Sequence, residues 1–87
     1  MKSTENPQVI YDMFDRAGFS ILRIDQFDRG DYAEVRAELP YPEYLTIDQL
    51  QELILKLKAM ERNENITLKI VHIDLIHKTM RVNIHTH

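Results

Sequence analysis

The sequence contains no cysteine and no tryptophan, only two glycines and three prolines, and no long apolar run. Small secreted domains are usually cross-linked by disulfides, so the lack of cysteine favours a reducing compartment and predicts a cytoplasmic protein. The longest apolar run, Leu53-Ile54-Leu55, is far shorter than the roughly 20 residues that span a bilayer. Residues 1–6 hold no apolar segment typical of a signal peptide. We therefore expect no membrane location.

The chain has the length and composition of one globular domain. Its 87 residues are enough for one domain and too few for two. Hydrophobic residues make up 44% and charged residues 29%, as in ordinary globular proteins. The net charge of −3 argues against a free-standing nucleic-acid binder, because phosphate contacts require a basic excess. Nucleic acid is therefore an unlikely partner on composition alone.

The first half of the chain predicts a helix followed by a β-hairpin. Apolar residues recur at helical spacing over 7–17, after the cap signal Asn6-Pro7 and before the stop signal Gly18. Apolar and charged residues then alternate over 19–27 and 33–39, as in half-buried strands, with a turn at Arg29-Gly30 between them.

The second half repeats that order. Residues 40–45 contain two prolines and predict a stiff connector. Thr46 and Gln49 form a capping-box pattern at the start of a predicted helix over 47–61, which Asn63 or Asn65 ends. Strands are predicted over 66–76 and 79–86. The fold class is thus α+β: two successive α-β-β units, forming a four-stranded, mostly antiparallel sheet with both helices on one face.

Charge predicts the register of the first hairpin, and agreement of apolar pairs on one face with polar pairs on the other predicts that of the second. In the first, a four-residue loop sets Arg23 opposite Glu38 and Asp25 opposite Arg36, whereas a two-residue turn would oppose like charges. In the second, a two-residue turn at His77-Lys78 pairs Leu75 with Met80, Ile73 with Val82, Val71 with Ile84, Asp74 with Arg81 and His72 with Asn83. A three-residue loop is the alternative there, because the turn lacks Gly or Asn.

The third strand has more aliphatic residues than one face accommodates. If Val71, Ile73 and Leu75 face the helices, an outward stripe is left open, unless a bulge near residue 70 brings both sets to one side. An open stripe predicts a homodimer or a docked partner protein. Tyrosines of the connector add to this predicted surface, because tyrosine is enriched at interfaces. The predicted partner-binding residues are Tyr41, Tyr44, Leu45, Ile66, Leu68 and Ile70.

Two polar groups are weak candidates for metal ligands. The histidines His72, His85 and His87 are clustered near the end of the chain, with His77 between them, and imidazole binds zinc or nickel. Acids at every third position, Asp25, Asp28, Asp31 and Glu34, offer oxygen ligands but lack the spacing of an EF-hand. We interpret both groups as solvated polar surface and predict no metal, no cofactor and no catalytic residue.

These patterns predict a small non-enzymatic protein-interaction module, accessory, inhibitory or regulatory, that acts as a homodimer. One alternative is a small-molecule-sensing regulatory domain. The other is an RNA- or DNA-binding sheet that uses Phe27 or Tyr32 beside its basic residues. The predicted registers disfavour this last alternative, because they neutralise the sheet arginines with acids. The basic residues concerned are Arg23, Arg36, Lys69 and Arg81.

Overall fold

In the computed structural model, which describes residues 7–26 and 32–86, two helices cover one face of a four-stranded antiparallel sheet. This confirms the predicted α+β class. The elements are α1 (Pro7–Arg16), β1 (Ser20–Gln26), β2 (Tyr32–Glu38), α2 (Ile47–Glu64), β3 (Ile66–Asp74) and β4 (Thr79–Thr86). The strand order is β1-β2-β4-β3, so β1 and β3 are the edges. The other face of the sheet, here called the open face, carries no helix.

The core lies between the helices and the sheet. The inward-facing residues of the two central strands are fully buried, and they pack against the apolar faces of α1 and α2. Gly18 has φ +89° after α1, a conformation that glycine adopts without strain, so the chain turns directly into β1. Phe14 and Phe19 then meet edge to face, with ring centroids 6.1 Å apart.

Helix α2 begins as predicted and ends three residues beyond the predicted boundary. The Gln49 backbone N–H donates to the Thr46 hydroxyl, and the Thr46 N–H donates to the Gln49 side chain. At the other end Asn65 takes the left-handed conformation of a cap, as one of the two predicted ends. A bidentate ion pair between Glu64 and Arg16 of α1, at 2.9 Å, favours the extra turn.

Replacing Thr46 with alanine is expected to lower the free energy of unfolding by about 1 kcal/mol, because the capping box loses its acceptor. Urea denaturation followed by circular dichroism measures the change. Thr46→Ser keeps the hydroxyl and serves as the control. An alanine variant with the midpoint of the wild type would show that the cap contributes nothing.

The predicted register of the first hairpin is wrong. Arg23 lies opposite Arg36 and Asp25 opposite Glu34, with a bulge at Leu22. The charges are compensated in other directions: Arg23 pairs with Asp25 of its own strand at 3.0 Å, and Glu34 lies 3.9 Å from Arg81 of β4. Cross-strand charge pairs contribute at most about 1 kcal/mol each, so they do not decide the register alone. Phe27 and the predicted turn at Arg29-Gly30 lie outside the described residues.

The predicted register of the second hairpin is also wrong, by two residues. Asp74 lies opposite Thr79, so the loop has four residues, 75–78, and β3 ends at Asp74 rather than at 76. Asp74 Oδ1 accepts the backbone N–H groups of Ile76 and His77, and Lys78 has φ +55°. The Asp74 carboxylate therefore fixes the loop instead of pairing with Arg81.

A bulge at Val71, between Ile70 and His72, resolves the aliphatic surplus of β3. Before the bulge Leu68 lies opposite Ile84 and after it Ile73 lies opposite Met80, so both face the helices, whereas Val71, on the bulge, is 47% exposed. The outward aliphatic stripe that predicted a homodimer is therefore absent from β3, residues 66–74. Homodimerisation itself stays a prediction.

Candidate functional site

The corrected registers bring four basic side chains into one row across the open face. Arg23 of β1 lies opposite Arg36 of β2, Arg36 opposite Arg81 of β4, and Arg81 opposite His72 of β3. Neighbouring strands lie about 4.8 Å apart, so the three arginines span roughly 10 Å. We call Arg23, Arg36 and Arg81 with His72 the basic row.

Each arginine of the basic row has a different degree of compensation. Arg23 is held by Asp25 at 3.0 Å, and Arg81 lies 3.9 Å from Glu34, a distance at the limit of an ion pair. Arg36, in the middle, forms no ion pair with any residue in 7–26 or 32–86. Like charges directly opposite each other destabilise a sheet. The row thus concentrates positive charge that an anionic group from outside would neutralise.

Acidic residues border the basic row on both sides. On the side of the loop 75–78, the next row contains Glu38, Thr79 and Asp74. On the other side, the next row contains Asp25, Glu34, Asn83 and Lys69. Two residues along a strand correspond to about 7 Å, so the positive strip is only one residue wide. The open face therefore carries alternating bands of charge.

A shallow cleft of ≈ 630 Å³ lies over the basic row. Besides the row itself it is lined by Leu22, Asp74, His77 and Thr79. His77 Nδ1 lies 2.7 Å from Asp74 Oδ2, and this hydrogen bond is the main reason that the pKa of the Asp74 carboxyl is lowered. Leu22, on the β1 bulge, is 52% exposed and adds an aliphatic contact at the margin.

The structure does not bring the predicted partner-binding residues together. Tyr41 and Ile66 are buried in the core, whereas Leu45 and Leu68 are half-buried against it. Burial and the nearby charge of Glu52 raise the pKa of the Tyr41 phenol, so this tyrosine offers no accessible tip. Tyr44, at 68% exposure, and Ile70, at 40%, are accessible, on the connector and on edge strand β3 respectively.

The predicted metal ligands that lie within the described residues are also far apart. His72 belongs to the basic row, whereas His85 stacks on Tyr32 with ring centroids 5.2 Å apart, two rows away. His87, Asp28 and Asp31 lie outside the described residues. Over residues 7–26 and 32–86, no three His, Asp or Glu side chains are grouped so that they could hold a metal ion.

Sequence reasoning named Arg23, Arg36 and Arg81 but assigned each an acidic partner, and so missed the row. A signal for the His72 end of the row is Asp74, whose position before a short loop is typical of a side chain that caps a turn. Using Asp74 in that way moves the β3–β4 register by two residues and sets His72 beside Arg81.

Comparison with known proteins adds no assignment to this geometry. No family model matches the chain, and searches of curated proteins and of solved structures gave no match either. In the described part of the chain, neither helix is long and apolar enough to cross a membrane. The functional interpretation therefore rests on the open face alone.

Proposed function

We propose that this protein is a non-enzymatic interaction module, accessory, inhibitory or regulatory, that binds an acidic segment of a partner protein on the open face of its sheet. The observation that supports it is the basic row, in which Arg36 lies between two other arginines and has no ion-pair partner among residues 7–26 and 32–86. Guanidinium groups donate paired hydrogen bonds to carboxylates, and arginine is enriched at interface hot spots. The absence of cysteine from the sequence agrees with a cytoplasmic location, which is part of the proposal.

The borders of the row favour an acidic protein segment over nucleic acid. Asp25, Glu34, Glu38 and Asp74 belong to the neighbouring rows, about 7 Å away along the strand backbones and within the roughly 8–10 Å over which charges act in physiological salt. They would repel the continuous charge of a nucleic-acid backbone. A protein surface can place its carboxylates over the arginines and other groups over the acidic bands.

The remaining groups of the open face agree with a protein partner. RNA-binding sheets stack bases on exposed aromatic rings, but Tyr32 is only half exposed and its ring already stacks on His85. Exposed Leu22 instead offers the aliphatic contact that protein interfaces place beside arginine. Small-molecule pockets are concave and mainly apolar, whereas this cleft is shallow and seven of its eight lining residues are polar or charged.

Titration with three anionic probes tests the proposal: a deca-glutamate peptide, a ten-nucleotide single-stranded RNA and inorganic pyrophosphate. We expect the wild type to bind the peptide more tightly than either other probe, with an affinity that falls as salt rises. Arg81→Gln is expected to weaken peptide binding by roughly 3- to 10-fold, the effect of one hydrogen bond to a charged group at a partly paired site.

Lys58→Gln on α2 is the matched control, because it removes one positive charge from the helix side of the molecule. It should bind the peptide like the wild type. Equal loss in both variants would mean that only the overall charge matters. If RNA or pyrophosphate bound more tightly than the peptide, the proposal of an acidic partner protein would be wrong, and the open face would bind that other class of ligand.

A further inference from the structure

We propose that the outer edge of β3 is a strand-addition surface for a second copy of this chain, and that Glu61 keeps this surface closed in the monomer. We call residues 66–70, the regular part of this edge strand before the bulge at Val71, the β3 edge segment. This proposal does not depend on what the open face binds.

Glu61 of α2 occupies the position that an added strand would use. The Leu68 backbone N–H donates to Glu61 Oε2 at 2.8 Å. Leu68 lies opposite Ile84 of β4, but its N–H is directed to the helix side chain and not to that strand. An N–H on the outer side of an edge strand is what a strand from another molecule binds. The carboxylate and an incoming carbonyl therefore compete for the same donor.

Aliphatic side chains beside the β3 edge segment would become buried by strand addition. Ile70 is 40% exposed and Ile54 of α2 is 39% exposed, and Leu68 lies half-buried between the helix and the edge. With Leu57, these residues line a small cleft of ≈ 170 Å³ that also contains Lys58 and Glu61. A strand with aliphatic residues at alternate positions would cover this cleft.

The β3 edge segment itself has aliphatic residues at alternate positions, which favours a second copy of this chain as the partner. Antiparallel pairing centred on Leu68 sets Ile66 of each copy opposite Ile70 of the other on the helix side. On the open face the same pairing sets Thr67 of each copy opposite Lys69 of the other, so no like charges lie directly opposite. The bulge at Val71 limits the regular surface to five residues, which is the length of the matching segment.

Such pairing would create one continuous sheet of eight strands. The two open faces would lie on the same side, because the twofold axis between antiparallel edge strands runs through the sheet. If the open face binds as proposed above, each dimer presents two basic rows and gains affinity for a partner with two acidic segments.

Sedimentation equilibrium without any ligand tests the surface, using Glu61→Ala, Glu61→Gln and Glu43→Ala. We expect Glu61→Ala to dimerise on the order of 10- to 100-fold more tightly than the wild type, since it removes a charged competitor for the Leu68 N–H. Glu61→Gln keeps an acceptor oxygen and should associate more weakly than Glu61→Ala. Glu43→Ala makes the same charge change on the exposed connector and should match the wild type.

Adding Ile70→Lys to Glu61→Ala is expected to restore the monomer, because a charged side chain at an edge opposes strand pairing. The proposal is wrong if Glu61→Ala sediments like the wild type at every concentration, or if the double variant dimerises as tightly as the single one. Hydrogen exchange at Leu68 gives a second measurement: in Glu61→Ala, where the competing carboxylate is absent, it should slow as protein concentration rises. Exchange in that variant that does not depend on concentration would overturn the proposal.

Discussion

Replacing Phe14 with alanine is expected to remove most of the free energy of unfolding. Phe14 is fully buried on α1, where its ring meets Phe19 and the shared core. Truncating a buried phenylalanine costs about 3–5 kcal/mol, and a single domain is stable by only about 5–15 kcal/mol. A domain of 87 residues belongs to the lower part of that range, so we expect Phe14→Ala to be partly unfolded without denaturant.

Chemical denaturation followed by circular dichroism measures this loss, and Tyr11→Ala is the matched control. Tyr11 is an aromatic residue of the same helix but is 40% exposed, so we expect its removal to cost about 1 kcal/mol or less. A Phe14→Ala variant within 1 kcal/mol of the wild type would show that the interior between α1 and the sheet collapses around the missing ring.

Sequence patterns predicted the elements of this core well, because burial leaves a periodic signal. Ile10, Met13 and Phe14 repeat at helical spacing and are buried, and the alternation of β2 places Ala33 and Val35 inside. Apolar residues recur at helical spacing along α2, but only some of them are covered: Leu53, Leu57 and Met60 are buried, whereas Ile47 and Ile54 are exposed. Periodicity identifies a helical face but not how much of its width the sheet covers.

Strand registers were not predictable from charge, and the site depended on them. A shift of two residues keeps the same side chains in the core, so apolar patterning allowed both registers of each hairpin. Pairing of side chains directly across the strands then favoured the wrong register in both cases, because charged side chains also pair along a strand, diagonally and with loop backbone. Asp25 pairs with Arg23 of its own strand, and Asp74 caps the loop. In the observed registers Arg36 lies opposite Arg23 and Arg81.

The position of Arg36 opposite two other arginines allows its effect on binding to be distinguished from its effect on stability. The backbone of Arg36 lies about 5 Å from the backbones of Arg23 and Arg81, and Glu34 and Glu38 follow at about 7 Å along its own strand. Like charges directly opposite each other destabilise a sheet, and we expect these nearer pairs to outweigh the more distant, attractive ones. We therefore expect Arg36 to destabilise the free protein, which is typical of a residue that functions in binding.

Arg36→Glu is expected to weaken binding of the deca-glutamate peptide by about 100-fold or more and, at the same time, to raise the free energy of unfolding by about 0.5–1 kcal/mol. The loss of affinity follows from removing a hydrogen bond to a carboxylate and adding a repulsive charge. The gain in stability follows because two cross-strand pairs change from repulsive to attractive. Titration and urea denaturation of the same preparation measure both quantities.

Arg62→Glu is the control for this opposition, because it makes the same charge change in the exposed last turn of α2, away from the open face. It should leave peptide affinity within about threefold of the wild type and bring no gain in stability, since it places a negative charge near a helix C-terminus. If Arg36→Glu weakened binding only because it unfolded the sheet, affinity and stability would fall together. If Arg36→Glu stabilised the protein and left the affinity for the peptide unchanged, the basic row would not be a binding surface, and the peptide would bind elsewhere.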